Sequence, residues 1–256
     1  METKQGKPKV IKTLQEIETM KMSGGICAGV LKKLIANVKS GQTCSALDKI
    51  AQSEIEKQKS TPSFMTVEGY KWAICTTLND QVVHGIPNER KLREGDILGM
   101  DLGVCYSGYH SDMAITLPIG EVLLSTEKFL KVGRETLERA IHQAQVGNTI
   151  GDISATIQEE IEGAGYSVVK SLTGHGIGRN LHEEPLVPGF GKKGKGTKIL
   201  KNMTLAIEII YTQGSGEVVQ ERDGWTIKSA DGSLGGLFEK TVVTSEDGPI
   251  VLTPYS

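Results

Sequence analysis

The sequence has no apolar run near the roughly 18 residues that a membrane-spanning helix requires. Its first residues, METKQGKPKVIKTLQ, lack the apolar segment of a signal peptide, so we expect a cytoplasmic protein without membrane contact. The four cysteines form no CxxC pair, and we interpret them as reduced thiols, mostly in the core. The formal net charge is only −2, which gives no reason to expect binding to DNA or general nucleic-acid binding.

A faint internal repeat divides the chain. When Gly41 is aligned with Gly147, the segments GQTCSALDKIAQSEIEKQ and GNTIGDISATIQEEIEGA share a threonine and a Glu-Ile-Glu triplet. Each copy predicts a long helix, a glycine stop and a shorter helix. The first long helix is predicted to follow an N-cap at Thr13, and the second an N-cap at Ser125 or Thr126. A chance match between two ordinary helix pairs is the alternative to a duplication.

The repeat predicts the domain organisation. Residues 1–12 are expected to form a flexible N-terminal extension, and residues 13–256 a single domain. Its two αβ halves, about 13–120 and 121–256, would be related by a pseudo-twofold axis around one antiparallel sheet. A cleft between such halves is a common place for a functional site. Strand-rich stretches are predicted at 72–78, 96–119, 168–173, 203–212 and 237–244.

Three carboxylates lie inside apolar, strand-like runs. Asp101 occurs in DILGMDLGV, Glu208 in MTLAIEII and Glu239 in GGLFEKTVV. A carboxylate that is buried in such a run needs a partner or a metal ion. Convergence of several such residues on a metal site is one interpretation, and structural salt bridges to lysine or arginine are the other.

A hairpin is predicted around the turn at Ser107 and Gly108, between two strand-like runs. Asp112 follows Asp101 by 11 residues, so the two aspartates could face each other across this hairpin. Local capping of the turn is the competing interpretation for either aspartate alone. The apolar neighbours of Asp101 weaken that interpretation for it.

Three histidines are candidates for the same site. His175 and His182 lie in the glycine-rich stretch TGHGIGRNLHEEP, where the glycines would let the backbone bring the ring of His175 close to another group. His84, in NDQVVHGIP, is predicted at the end of a strand, and a loop histidine without a role is equally compatible. Four carboxylates with one histidine exceed the ligands of a single tetrahedral zinc, which favours two ions that share bridging carboxylates.

Taken together, the motifs VVHGIP, GMDLGVCYSGYHSDMA, TGHGIGRNLHEEP, MTLAIE and GGLFEKTVV resemble the motif series of type I methionine aminopeptidases. The similarity extends from about Leu14 to Thr253, with spacings of 11, 63, 33 and 31 between successive candidate ligands. The resemblance implies an α+β, pita-bread fold: two pseudo-twofold-related halves around a curved antiparallel sheet, with helices outside. The additional N-terminal domain of Xaa-Pro aminopeptidases and prolidases is not expected, nor is the helical insert of type II enzymes.

The resemblance also implies a function. Proteins of this family remove the initiator methionine from nascent proteins when the second residue is small, through attack of a metal-bridging hydroxide on the first peptide bond. Asp112 and Glu239 would bridge two divalent ions, which could be Co, Mn, Fe or Zn. Asp101 would complete the ligands of one ion, and His175 with Glu208 those of the other.

Further roles follow from the same resemblance. Glu208 would also take up and relay the proton of the nucleophile, while His182 and His84 would stabilise the oxyanion or position the peptide. Without the resemblance, Tyr70 and Trp225 would be interpreted as ordinary core. The residues that would bind substrate are Phe64, Tyr70, Cys75, His84, His182 and Trp225.

Four positions depart from the family pattern. Ile209 replaces a proline after a ligand, Lys240 a histidine beside the last ligand, Leu181 an aromatic residue and Val67 a pocket tyrosine. No ligand is lost, so the departures concern the side-chain pocket. A peptidase that cleaves before proline and a non-catalytic binding protein of the same fold are the alternative functions.

The segment KKGKGTKILK, residues 192–201, contains five lysines, and the first 12 residues contain four more. The ordinary interpretation is a solvated surface loop. The functional alternative is a transient contact with ribosomal RNA near the peptide exit, where a nascent-chain enzyme would act. We expect the protein to be a monomer.

Overall fold

The computed structural model of the protein describes residues 10–255. The helices are α1 (Leu14–Asn37), α2 (Cys44–Lys57), α3 (Leu124–His142) and α4 (Ile150–Gly163). The strands are β1 (Thr61–Pro62), β2 (Ile74–Leu78), β3 (Gln81–Val83), β4 (Ile97–Tyr106), β5 (Tyr109–Pro118), β6 (Ser167–Val168), β7 (Thr173–Gly176), β8 (Glu183–Pro188), β9 (Thr204–Thr212), β10 (Val218–Gln220), β11 (Ile227–Ser229), β12 (Gly235–Val243) and β13 (Ile250–Val251).

One large antiparallel sheet joins the two halves of the chain. Its strand order is β1–β4–β5–β12–β9–β7–β8, with β2 beside β4, β6 beside β9 and β13 beside β12. The strands β10, β11 and β3 form a second, smaller sheet. In the large sheet, β5 from the first half pairs with β12 from the second. The single antiparallel sheet that the repeat predicts is therefore present, and its halves meet at β5 and β12.

The two helix pairs have matching ends. Thr43 is the N-cap of α2, and Thr149 is the N-cap of α4. The glycines that precede these caps, Gly41 and Gly147, both have left-handed backbone angles, with φ of 86° and 99°. Left-handed backbone is open to glycine at little steric cost, so both glycines form the turn that leads into the shorter helix. The predicted glycine stop is wrong, because α1 ends at the cap residue Val38 and α3 at Gln143, before either glycine.

The predicted beginning of α1 is correct, and that of α3 is wrong. The Thr13 hydroxyl accepts a hydrogen bond from the Glu16 N–H at 3.2 Å, and the Glu16 carboxylate accepts one from the Thr13 N–H at 2.7 Å. By contrast, α3 begins at Leu124 with Leu123 as its N-cap. The Leu123 carbonyl accepts from the backbone N–H of Thr126 at 2.9 Å, and no side chain caps this helix end.

The helices cover one face of the large sheet. Because side chains alternate along a strand, Met100, Leu102 and Val104 of β4 point into the core beneath the helices, while Asp101 lies on the opposite face. The Cys27 thiol of α1 donates to the Leu102 carbonyl at 3.2 Å, which places α1 directly over β4. The sheet face opposite the helices therefore carries Asp101 and is available for the other candidate ligands.

No helix among residues 10–255 is long and apolar enough to cross a membrane. Most of the N-terminal extension expected at 1–12 lies outside the described residues. Of its last residues, Ile11 forms a β-bridge with Met203, and the Lys12 side chain is buried.

Candidate active site

The β4–β5 hairpin positions the two aspartates. Ser107 and Gly108 form its two-residue turn with φ of 50° and 79°, which is typical of the turn that suits twisted hairpins. Asp101 pairs with Ala114, and Asp112 pairs with Gly103 two residues further toward the turn. The aspartates are therefore diagonal neighbours on one face of the hairpin, not directly opposite each other.

The register of the central strands brings the glutamates to the same place. Glu239 of β12 lies opposite Ala114 of β5 on one side and opposite Glu208 of β9 on the other. Asp101, Ala114, Glu239 and Glu208 thus form one row across four strands. Two acidic residues directly opposite each other destabilise a sheet unless a cation lies between them.

His175 completes the cluster from β7. It pairs with Ala206, two residues before Glu208, so its side chain lies beside the carboxylate row. A Cβ atom at Gly174 would lie 2.5 Å from the Ala206 carbonyl oxygen, and one at Gly176 would lie 2.2 Å from the Glu184 carbonyl oxygen. Only glycine permits this close packing, which is the physical meaning of the glycines around His175.

The ring of His175 is oriented by its own strand. Its Nδ1 donates to the Gly176 carbonyl oxygen at 2.8 Å, which leaves Nε2 free of a proton and 3.4 Å from Oε1 of Glu208. Burial lowers the pKa of His175 to about 4, so the imidazole is neutral near pH 7. A neutral ring with one nitrogen held by a carbonyl is the usual state of a metal-binding histidine.

The donor atoms fit a cation. Single ligand atoms of Asp112, His175 and Glu239 all lie within 4.8 Å of one another, and all three residues are buried. Oδ1 of Asp101 and Oε1 of Glu239 are buried without a hydrogen-bond partner. Across residues 10–255, no lysine or arginine forms an ion pair with any of the four carboxylates. The salt-bridge interpretation therefore fails for this part of the chain, and a divalent metal ion suits the set.

The electrostatics agree with that conclusion. Burial raises the pKa of Asp101, and repulsion from Asp112 and Glu208 adds to the effect. Burial raises the pKa of Asp112 to about 7. It also raises the pKa of Glu208 and of Glu239, again with a contribution from Asp112. Without a bound cation, the four groups hold protons at a pH where isolated carboxylates are ionised.

A cavity of about 140 Å³ opens onto these residues. One wall is aromatic: the ring of Tyr70 lies edge-on to Trp225 at 5.1 Å and to Phe64 at 6.3 Å between centroids. The Tyr70 hydroxyl is 2.9 Å from the Ile74 carbonyl oxygen and 3.2 Å from the sulfur of Cys75. The residues that line the cavity are Phe64, Val67, Tyr70, Cys75, His84, Asp101, Asp112, His175, Leu181, His182, Glu208, Trp225 and Glu239.

The structure therefore brings every candidate residue to one cavity, although their individual roles stay predictions. His84 directly follows β3 and has a left-handed backbone with φ of 56°, which is rare outside glycine and often found at functional sites. The ring of His182 meets that of His175 edge-on at 4.4 Å between centroids. Burial of their rings lowers the pKa of both His84 and His182, so both are neutral near pH 7.

The four departures divide between the two faces of the sheet. Val67 and Leu181 line the cavity and supply aliphatic surface there. Ile209 is fully buried on the helix side, and the amine of Lys240 pairs with Glu138 of α3 at 2.6 Å. Ile209 and Lys240 therefore change the support beneath the sheet and leave the cavity wall unaltered.

Sequence reasoning missed Thr241. Its hydroxyl accepts from the Asp112 backbone N–H at 2.9 Å and donates to the Asp112 carbonyl oxygen at 2.8 Å. This exchange joins β5 to β12 beside the carboxylates. The available signal was strand alternation, since Thr241 lies two residues after Glu239 and thus on the same face.

Comparisons with known proteins agree with this architecture. The model of metallopeptidase family M24 matches residues 18–246. The methionine aminopeptidase of Clostridium perfringens is 41% identical over 244 residues, which cover 95% of this chain and 98% of that protein. The crystal structure of the methionine aminopeptidase from Thermotoga maritima superimposes with a TM-score of 0.93 at 39% identity, covering 95% of this chain and 98% of that one.

A more distant comparison bears on the fold alone. The prolidase of Pyrococcus horikoshii superimposes with a TM-score of 0.79 at 19% identity, over 96% of this chain and 64% of that one. The pita-bread fold is thereby confirmed. The fold and the acidic site define a metallopeptidase, and the chain belongs to metallopeptidase family M24. Methionine aminopeptidases of Clostridium perfringens and Bacillus subtilis match it over nearly their whole length.

Proposed function

We propose that this protein removes methionine from the N-terminus of peptides and nascent proteins whose second residue is small. The observation that carries the proposal is the strand register, which sets the carboxylate row and His175 beside an aromatic, sulfur-containing cavity. The full-length similarity to methionine aminopeptidases supports the same activity.

We infer that five residues hold two divalent ions, with Co, Mn, Fe and Zn as candidates. Asp112 and Glu239 would contribute to both ions because both lie between Asp101 on one side and His175 with Glu208 on the other. The unpaired oxygens of Asp101 and Glu239 support this assignment. When bound, such ions polarise the scissile carbonyl and lower the pKa of water to about 7.

We assign proton transfer to Glu208. Its carboxylate is buried beside the neutral imidazole of His175, and no lysine or arginine in the described residues competes for it. An ionised Glu208 would accept the proton of the attacking water and return it to the leaving amine. A group that both accepts and donates a proton in this way contributes about 100- to 10,000-fold to a rate.

His84 and His182 are assigned to the peptide carbonyl. Each is a neutral imidazole that can donate one N–H to an oxygen as negative charge develops on it. Both lie at the cavity rim, since solvent reaches both residues while their rings line the wall. Their donation would hold the first peptide bond over the carboxylate row.

The cavity would take the methionine side chain. An unbranched thioether packs well on aromatic edges and on sulfur, and Tyr70, Trp225 and Cys75 offer both kinds of surface. The cavity of about 140 Å³ would hold this side chain beside the carboxylate row.

Peptide cleavage tests the proposal. The metal-free protein should be inactive, and addition of Mn, Co or Fe should restore release of methionine from Met-Ala-Ser. Ala-Pro-Ala should remain intact. Cleavage of Ala-Pro-Ala in preference to Met-Ala-Ser would transfer the protein to the proline-specific peptidases, and cleavage of neither with any metal would indicate a binding protein.

The ribosome contact is a separate proposal. The segment 192–201 is fixed at the N-terminus of α4, where the Gly151 N–H donates to the Lys195 carbonyl at 2.9 Å. All five of its lysines are exposed, and two of them have acidic neighbours: Lys193 pairs with Glu159 at 2.8 Å and Lys201 lies 3.7 Å from Glu246. An ordered loop with exposed amines supports contact with a phosphate backbone. The monomeric state and the cytoplasmic location stay predictions.

A further inference from the structure

The segment 177–183, which we call the His182 segment, connects β7 to β8 and carries the rim histidine. At its start, the Ile177 N–H donates to the Thr204 carbonyl at 3.2 Å. One residue later, the Gly178 carbonyl accepts from the His110 N–H at 2.7 Å. The segment has little regular secondary structure of its own, so the position of the His182 ring depends on what holds these residues.

A buried ion pair lies directly beside His182. The Lys12 ammonium is 2.8 Å from Oε2 of Glu183, and the two side chains are only 3% and 2% exposed. The other carboxylate oxygen, Oε1, accepts from the Asn180 N–H at 3.0 Å. Glu183 therefore links Lys12 to the residues that precede and follow His182 in the chain.

The pair also packs closely against Gly178. A Cβ atom at Gly178 would lie 2.4 Å from Cε of Lys12 and 2.9 Å from Oε1 of Glu183. The lysine stem therefore passes under Gly178, and the absence of a side chain there admits it. This contact is independent of the ion pair and requires Lys12 and the His182 segment to pack as one unit.

Lys12 is itself fixed to the body of the protein. Its backbone N–H donates to the Asn202 carbonyl at 2.9 Å, and the preceding residue bridges Met203 at the start of β9. A second contact joins the segment to β5 and α1, because the Arg179 guanidinium lies 4.6 Å from the centre of the Tyr109 ring of β5 and 3.8 Å from Glu16 of α1. Lys12, just before α1, and Glu16, in its first turn, thus both contact the His182 segment.

We propose that Lys12 is a positioning residue for His182. Through Glu183 and the packing under Gly178, it fixes the His182 segment so that the imidazole stays at the cavity rim. A buried charge that loses its partner is strongly unfavourable. The ion pair between Lys12 and Glu183 therefore stabilises the docked position of the His182 segment. The catalytic consequence rests on the proposed function, whereas the positional consequence does not.

Amide hydrogen exchange tests the positional part directly. Lys12→Met should raise exchange in the His182 segment by about tenfold or more while the central strands keep their protection. Lys12→Arg keeps the charge but carries a bulkier head group under Gly178, so it should restore that protection in part. The matched control is Lys21→Met, because Lys21 forms an exposed pair with Glu18 and should change nothing in this segment. Unchanged exchange in Lys12→Met would overturn the proposal.

A double-mutant cycle tests the catalytic part. Lys12→Met should lower kcat for Met-Ala-Ser by about tenfold with little change in KM, and should lower it by less than about twofold when His182 is already alanine. Equal losses in both backgrounds would assign Lys12 a general structural role and refute positioning of His182.

Two safeguards keep these outcomes separate. If Lys12→Met does not fold because Glu183 is left unpaired, the double variant Lys12→Met with Glu183→Gln removes both charges and is measured in its place. If the parent protein cleaves no methionyl peptide, the proposed function fails, and the exchange experiment alone decides whether Lys12 positions the segment.

Discussion

Removal of the metal should leave a protein that loses stability as the pH rises, and Asp112→Asn should remove much of that loss. The pKa of Asp112 lies at about 7 in the folded protein, against 3.8 for an isolated aspartate. Between these values the folded state keeps a proton that the unfolded chain has released. Stability therefore falls as pH increases through this range, because it falls wherever the folded state binds more protons.

The magnitude follows from the width of the window. Each pH unit costs about 1.4 kcal/mol for each proton retained, so the two units from pH 5 to 7 amount to about 2.7 kcal/mol for Asp112. For a chain of this size that corresponds to about 5 to 10 °C in Tm. The four carboxylates titrate as a group, so the pKa belongs to the group rather than to Asp112 alone. The difference in unfolding free energy between parent and variant therefore reports the one proton that the group no longer binds when Asp112 is replaced.

Buried histidines change the stability with pH in the opposite direction, and their contribution must be subtracted. Burial lowers the pKa of His175 and of His110 to about 4, so the unfolded chain binds their protons first and stability rises with pH between about 4 and 6.5. Both histidines are present in Asp112→Asn. Subtracting the variant's stability from that of the parent at each pH therefore cancels their contribution.

The assay is denaturant unfolding of chelator-treated protein at intervals between pH 5 and 8, with parent and Asp112→Asn measured in parallel. The parent should lose about 2.7 kcal/mol relative to the variant across this range. Added Mn should stabilise the parent increasingly as pH rises, because binding displaces the retained protons. Parallel pH dependence of the two metal-free proteins would show that the carboxylates are ionised in the empty site, and the argument from burial would be wrong.

Three further predictions concern activity and partners. Glu208→Gln should fold and retain some metal but lose about 100- to 10,000-fold in kcat, since an amide cannot accept the proton; a near-normal kcat would exclude its role as base. Cleavage of Met-Leu or Met-Lys peptides should be about tenfold or more slower than that of Met-Ala, because we expect the space for the second residue beside His84 to be narrow, and comparable rates would contradict this. Alanine at all five lysines of 192–201 should reduce co-sedimentation with ribosomes at low salt and leave tripeptide cleavage unchanged, whereas unaltered sedimentation would identify a solvated loop. The five substituted residues are Lys192, Lys193, Lys195, Lys198 and Lys201.

Much of the architecture could be predicted from local patterns. Thr13 caps α1 because its hydroxyl accepts from the Glu16 N–H, and both residues of this signal lie within a few positions of each other. The β4–β5 hairpin was equally local, since Ser107 and Gly108 suit its turn. The prediction for the beginning of α3 was wrong because Leu123 precedes the helix without a side-chain cap, so no capping residue marks this end in the sequence.

The arrangement of the site required long-range information. Apolar flanks around Asp101 and Glu239 indicate that these carboxylates are buried, but only the register of β4 with β5 and of β5 with β12 sets them in one row, two strands apart, on one face. A slip of one residue would turn one set of ligands toward the helices, since side chains alternate along every strand.

Residues that act through other residues are the hardest to find from the sequence. Lys12 and Glu183 are separated by 171 positions, and neither belongs to a run whose periodicity marks it as buried. Thr241 is an ordinary strand residue until its hydroxyl is seen to join Asp112. The ligands can therefore be predicted locally, from a charged residue in an apolar run. The residues that support the ligands depend on pairings between distant segments. Those pairings decide whether a site with all its ligands also has the geometry to work.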